Sequence, residues 1–174
     1  MARKKKFVKE SNVIMTELVL PNDTNTLNNL MGGRLMHWMD VAAAISAQKH
    51  SNRIVVTASV DNISFDKPLF LGNVVTIRAQ VTRAFSSSME VFIKVFAEDI
   101  PANKKETTHS AFFTFVAVDQ SRRPINVPEA VPETDLEKEL YKGALRRRQL
   151  RLVLAKRMKP EHATELKSLF LIED

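Results

Sequence analysis

The residues best suited to chemistry in this 174-residue chain are Gly32-Gly33, Asp40 and Asn25. The two glycines open a stretch rich in Ala, Leu and Met, and Asp40 lies seven residues beyond the second of them. A helix that starts at such a pair presents N–H groups without intrahelical partners and the positive end of its dipole, and glycine lets a ligand come close. That arrangement can polarise a carbonyl and hold a developing oxyanion, although a glycine pair before a helix also serves as a plain turn. Asp40 sits among Trp38, Met39, Val41 and Ala42, where an unpaired carboxylate is costly and needs a partner or a task. The task would be that of a general base toward water or of a nucleophile. Asn25 can hold a water or a carbonyl, or it can simply stabilise the turn that follows Pro21-Asn22-Asp23. His37 falls on the same helical stripe as Gly33, Asp40 and Ala44, at i, i+4, i+7 and i+11. His50, His109 and His162 show no metal-ligand spacing, and the chain has no cysteine. Neither a metal site nor thiolate chemistry is expected.

The elements that must position these groups are legible from periodicity. Residues 12–20 alternate loosely and end at a Pro-Asn-Asp turn, which predicts a first strand. From Arg34 to His50 there is no Pro or Gly, which predicts a long helix, apolar on nearly all sides and therefore buried. The period then changes to two. A run at residues 54–60 precedes a turn at Leu71-Gly72-Asn73; Val75, Ile77, Ala79 and Val81 then alternate with polar residues, as do Val91, Ile93, Val95 and Ala97, and residues 108–118 form a last aromatic, β-branched run. Ser86-Ser87-Ser88 is the candidate hairpin turn. The order of strand, buried helix and about four strands implies an α+β fold in which an antiparallel sheet wraps around a long central helix. Residues 124–133 form a Pro-containing linker, Thr134-Asp135 opens a charged helix running to about Lys159, and Pro160-Glu161 starts a last short one. The expected division is a basic N-terminal tail at 1–10, a core domain at 11–123, and a linker with a C-terminal helical extension at 124–174.

Taken together, Leu20-Pro-Asn-Asp-Thr-Asn25 and Met31-Gly-Gly-Arg-Leu-Met-His-Trp-Met-Asp40 resemble the cytosolic acyl-CoA thioesterase branch of the hotdog superfamily. Val60-Asp-Asn-Ile-Ser-Phe65, Lys67-Pro68, Gly72 and the serine-rich turn are similar to later landmarks of that family. The resemblance spans about residues 16–118. It implies a hotdog domain hydrolysing fatty acyl-CoA to free fatty acid and coenzyme A, with Asn25, Gly32, Gly33 and Asp40 as the catalytic set. Met31 stands where some distant members carry histidine, so no histidine role is transferred. Gly32 and Asp40 are eight residues apart, roughly 12 Å along a helix, whereas a base must lie within about 3 Å of the water it serves. One helix therefore cannot bring both to one thioester, but two antiparallel helices of a symmetric dimer can. The homodimer is the expected catalytic unit, and a trimer of dimers, covering the aromatic face of Phe92, Phe96 and Phe112, the expected assembly.

Coenzyme A brings a 3′-phosphate and a diphosphate, which require cations or N–H groups. Candidates are Arg146, Arg147 and Arg148, with Ser86, Ser87 and Ser88 at the hairpin and Asn62 beside the strand edge. The net charge of +6 comes from the N-terminal tail and from Lys142, Arg146, Arg147, Arg148, Arg151, Lys156, Arg157 and Lys159; the middle of the chain is nearly balanced. The C-terminal cluster has few interleaved aromatics, so nucleic-acid binding is not expected. No apolar run reaches membrane-spanning length and no secretory signal follows the basic start, so a cytoplasmic protein without membrane attachment is expected. No cofactor is expected beyond coenzyme A as a moiety of substrate and product. The competing function is a non-catalytic acyl-CoA-binding sensor or regulator, since hotdog domains also serve as ligand sensors; no DNA-binding unit fits before Asn12.

Overall fold

The structure, a computed structural model, describes residues 3–61, 63, 65 and 67–168. It falls into two compact units, Met1–Val131 and Pro132–Asp174. In the first, strands β1 (Lys5–Phe7) and β2 (Val13–Leu18) precede helix α1 (Gly32–Ser51), followed by β3 (Ile54–Asp61), β4 (Val74–Ala84), β5 (Ser88–Asp99), β6 (Lys104–Val118) and β7 (Glu129–Val131). The main sheet is antiparallel, in the order β2-β4-β5-β6-β3.

Alternation decides which face meets α1. Val75, Ile77, Ala79 and Val81 of β4 and Val91, Ile93 and Val95 of β5 are buried, as are Phe113 and Phe115 of β6. They form one core with Leu35, Trp38, Met39, Ala42, Ala43 and Ala47 of α1. Truncating either phenylalanine would cost about 3–5 kcal/mol. The opposite face carries Phe92 stacked on Phe112 with ring centres 5.0 Å apart, and Phe96 beneath Arg78 and Lys94 at 5.1 and 5.6 Å. The helix, however, is not buried all round within one chain. Met36 and Ile45 are 37% and 42% exposed, at the two edges of an open arc that has Gly33 and His37 between them.

The N-terminal segment is a tail only in composition. Lys5–Phe7 pairs in parallel with Glu129–Val131, so residues expected to be tail and linker build a two-stranded sheet of the first unit. The basic side chains find carbonyl acceptors: Arg3 donates to the carbonyls of Val127 and Phe85, and Lys6 to that of Lys49 in the last turn of α1. A cation at that end of a helix is favoured by the dipole. Val8, just beyond, is fully buried.

In the second unit, helix α2 (Asp135–Leu154) starts in a capping box in which Thr134 Oγ1 accepts from the Glu137 N–H and the Glu137 carboxylate accepts from the Thr134 N–H. It ends before the expected Lys159, because Lys156 turns left-handed at φ 56°. A one-turn helix, α3 (Thr164–Lys167), follows, tied back where its Leu166 N–H donates to Gln149 Oε1 at 2.9 Å. Among the described residues no helix is long and apolar enough to cross a membrane.

His50 reports on the junction of α1 with the β1–β7 pair. It is fully buried; Nε2 donates to the Pro128 carbonyl at 3.0 Å, and Nδ1 has no hydrogen-bond partner among the described residues. Burial holds its pKa below the ordinary imidazole value, outweighing the Pro128 bond that acts the other way. The unfolded chain therefore takes up this proton at a higher pH than the folded one. Stability is lost as pH falls below the unfolded value of about 6.5, and the loss ends below the folded pKa. The melting temperature should fall between about pH 7.5 and 5.5 more steeply in the native protein than in His50→Gln, which keeps a donor for Pro128 but cannot titrate. Equal slopes would show that His50 is not the titrating group.

Candidate active site

The loop before α1 is built to hold Asn25 still. Asp23 accepts from the Leu20 N–H at 3.1 Å and pairs with Arg34 Nε at 2.9 Å, and its carbonyl accepts from the Met31 N–H, so the loop is tied to the first turn of the helix at both levels. The Asn25 Oδ1 accepts from Leu27 and Asn29 N–H groups at 2.9 and 3.2 Å. This is the turn chemistry read from the sequence as one alternative, and it uses only half of the side-chain amide. Among the described residues the Nδ2 group makes no hydrogen bond. Residues 28–30 are zipped to residues 69–71 by the Leu30 N–H on the Leu69 carbonyl and the Leu71 N–H on the Asn28 carbonyl.

Asn25 and Gly32 meet at one cavity of about 270 Å³, whose wall includes Leu30, Leu35, Phe65, Pro68, Leu69 and His109. The two glycines are not equivalent. A Cβ on Gly32 would stand 3.4 Å from the Phe65 ring, at the cavity wall, whereas one on Gly33 would meet nothing within 4 Å. As the first and second residues of α1, both have N–H groups without an intrahelical acceptor. His109, 5% exposed, lies against the Phe65 ring with centres 5.7 Å apart. Lys67, also on the wall, pairs with Glu106 at 2.8 Å.

Asp40 does not line this cavity. It is half-buried, and its Oδ1 accepts a hydrogen bond of 2.8 Å from Thr57 Oγ1 on β3. Thr57 sits at a bulge: it pairs with Phe115 while Ser59 pairs with Thr114, leaving Ala58 as the extra residue, and such a bulge re-aims the side chains beside it. The aspartate thus has its partner, and the partner was not singled out in the sequence. The available signal was a hydroxyl in register with Val55, which packs on the core. His37 is exposed on the open side of α1 and hydrogen-bonds to nothing among the described residues.

The remaining candidates separate. Asn62 lies outside the described residues. Ser86, Ser87 and Ser88 do form the β4–β5 turn, and their carbonyls accept from the N–H groups of Val127, Ala117 and Phe85. Ser88 pairs with Val116 and Thr57 with Phe115, so the turn is level with the Asp40–Thr57 end of the sheet. His109 at the cavity is six residues back along β6, about 20 Å away. Arg146, Arg147 and Arg148 are in the second unit. Arg147 folds onto its own helix, donating to the Leu140 carbonyl at 2.8 Å, with its guanidinium where a Cβ on residue 143 would clash; only Gly143 allows this. Among the described residues no three His, Asp or Glu side chains cluster as metal ligands.

Residues 27–102 match the thioesterase superfamily model. YkhA of Bacillus subtilis, described as an uncharacterized acyl-CoA thioester hydrolase, is 44% identical over 142 residues, which cover 82% of this chain and 83% of that protein. A hexameric acyl-CoA thioesterase, solved without ligand, superposes with a TM-score of 0.84 at 38% identity, covering 87% of this chain and 97% of its own. The Staphylococcus aureus acyl-CoA hydrolase, solved in complex with butyryl coenzyme A and coenzyme A, gives 0.80 at 38% identity, covering 87% and 94%. Some mammalian relatives are longer, and this chain spans about a quarter of their length. With the helix-in-sheet fold, the glycine-headed α1 and the cavity beside it, these matches lead to one assignment: the chain belongs to the acyl-CoA thioester hydrolases of the thioesterase superfamily.

Proposed function

We propose that the protein hydrolyses fatty acyl-CoA to free fatty acid and coenzyme A at sites shared between two copies of the chain. The observation that carries this is the separation of the parts. Asn25 and Gly32 border one cavity, while Asp40 is held by Thr57 away from it, about 12 Å along α1. The open side of α1, with Gly33 and His37 flanked by Met36 and Ile45, and the β3 edge, with Ile54, Val56 and Val60 at 64%, 48% and 39% exposure, are where a second copy would seat. Its Asp40 would then reach the Gly32 end of this helix, and the reverse, giving two equivalent sites.

At each site the thioester oxygen would take the Gly32 N–H, with the neighbouring Gly33 N–H on the outer side, and the Asn25 Nδ2 would orient the water or the carbonyl. Asp40 of the other copy would draw a proton from the water as it attacks. Thr57, donating to Oδ1, leaves Oδ2 for that proton. Collapse of the tetrahedral intermediate expels the coenzyme A thiolate and leaves the carboxylic acid. In the S. aureus enzyme an Asn, an Asp and a Thr have each been replaced by Ala. The first two stand 15 residues apart and the last two 17, the spacing of Asn25, Asp40 and Thr57. That agreement in spacing supports a joint role for the three residues. The hexameric relative supports a trimer of such dimers, with the Phe92–Phe112 face available between them. Within the first unit the phosphates of coenzyme A would be met by N–H groups and hydroxyls of Ser86–Ser88 and by Asn62; Arg146 and Arg148 of the second unit stand as separate candidate cations, and Arg147, committed to its own helix, is the weakest of these assignments.

Two sets of variants test the site. Asp40→Asn should lower kcat at least a hundredfold with the fold and assembly intact, and Thr57→Val should lower it about tenfold, as one orienting hydrogen bond is lost. Asn25→Ala should lose both turnover and about 1–2 kcal/mol of stability, whereas Asn25→Asp, which keeps the Oδ1 acceptor, should lose turnover alone. Full acyl-CoA hydrolysis by folded Asp40→Asn would end the proposal.

Sharing of the sites has its own test. Asp40→Asn and Asn25→Asp chains, each inactive alone, would be unfolded together in equal amounts and refolded. Half the dimers would then be mixed, each with one complete site, and activity should return to about a quarter of the native value. No recovery, with mixed dimers demonstrated by mass, would place both groups in one chain's site.

A further inference from the structure

On the face of β6 that meets α1, Phe115, Phe113 and Ala111 are followed by His109, which pairs with the buried Val95 of β5. The three apolar residues of this row belong to the core. The fourth is a buried imidazole on the wall of the cavity that opens at Gly32. Phe65 spans the interval between the two. Its ring lies 5.7 Å from that of His109, centre to centre, and 3.4 Å from where a Cβ on Gly32 would stand. Phe65 is itself 49% exposed, so it walls the cavity without being part of the core.

A thioester held by its oxygen at the Gly32 N–H sends two arms away from that point, the acyl chain and the pantetheine of coenzyme A. In the dimer proposed above, Asp40 of the other copy would reach this Gly32, and with it the Ser86–Ser88 turn at the same end of that copy's sheet. The coenzyme A arm is then claimed by the other copy. The acyl chain is left with the cavity of the chain that holds its carbonyl, where Leu30, Leu35, Phe65, Pro68 and Leu69 suit an alkyl group. The room there is limited. A cavity of about 150 Å³ holds one benzene ring, so one of about 270 Å³ holds roughly ten carbons. A longer chain would press on the His109 imidazole and on the side-chain amide of Asn29, which makes no hydrogen bond among the described residues. A methylene offers such groups no bond in place of water.

We infer that this cavity takes the acyl chain and that His109, as its far wall, and Phe65, as its side wall, set the chain length accepted. The substrates are then acyl groups of up to about ten carbons, and long-chain groups such as palmitoyl are disfavoured. Neither residue takes part in making or breaking bonds; both decide which chain is held while that happens. The inference rests on the acyl-CoA hydrolysis at shared sites proposed above.

Non-hydrolysable S-alkyl-coenzyme A thioethers of four, eight, twelve and sixteen carbons would be titrated calorimetrically into the full-length native protein, His109→Ala and Phe65→Ala. The matching acyl-CoA thioesters would be assayed for thiol release. Native affinity should rise about fourfold per carbon while methylenes leave water, then level off or fall beyond about ten carbons. The native kcat/KM should follow the same profile. His109→Ala should carry the rise about three carbons further, because the removed ring leaves room for them. Phe65→Ala should cut the gain to less than about twofold per carbon, because the chain then lies against water. If the melting curve shows His109→Ala unfolded, Phe65→Ala, changed at a half-exposed position, carries the comparison. Affinity still climbing at sixteen carbons in the native protein, or a profile unmoved in the folded variants, would overturn the inference. Hydrolysis of all lengths alike would overturn it too and leave the thioesterase reading standing. A length limit in thioether binding without turnover of any thioester would support the pocket and count against hydrolysis alone.

Discussion

A helix advances about 1.5 Å per residue whatever its sequence, and that fixed rise organises the first unit. It sets Gly32, where backbone N–H groups open onto a cavity, apart from Asp40, where a carboxylate needs support. Each end is then solved locally. The Gly32 end is stiffened by Asp23, which joins the loop to Arg34, and by the zipper of residues 28–30 on residues 69–71. The Asp40 end is stiffened from the sheet, where a bulge in β3 accompanies the Thr57 hydroxyl bonded to the carboxylate. A central helix gripped by five strands keeps the spacing from relaxing.

Beside those paired with carboxylates, such as Arg34 and Lys67, the cations take two tasks. In the first unit Arg3, Lys6 and Lys49 donate to backbone carbonyls and fasten the chain to itself. In the second, Arg147 does the same on its own helix, while Lys156, Arg157 and Lys159 surround open space. Net charge alone does not separate these tasks; carbonyl geometry does.

Much of this was legible in the sequence, for reasons that differ by residue. The inward faces of β4 and β5 follow from a period of two, and α1 from a run without Pro or Gly. The glycines and Asp40 were visible because their types are costly or unusual where they stand. Thr57 was not, because threonine is ordinary in a strand and only its register against α1 reveals its use. The β1–β7 pair was hidden because two three-residue strands separated by more than a hundred positions leave no local pattern. The end of α2 was misread for a third reason: a lysine at a left-handed position reads as helix, where a glycine would have marked the stop. The open side of α1 went unseen because Met36 and Ile45 look the same in a sequence whether they pack on their own chain or on another.

The placement of glycine and aspartate at different heights on one helix has a consequence for inheritance. With sites shared as proposed, every gene copy must encode both halves, and an altered chain impairs its partners as well as itself. Two copies joined in tandem escape that obligation. One repeat can retain the glycines and the other the aspartate, and one complete site survives. The surfaces released from catalysis are then free to acquire other specificities, so this geometry makes duplication a direct route to division of labour.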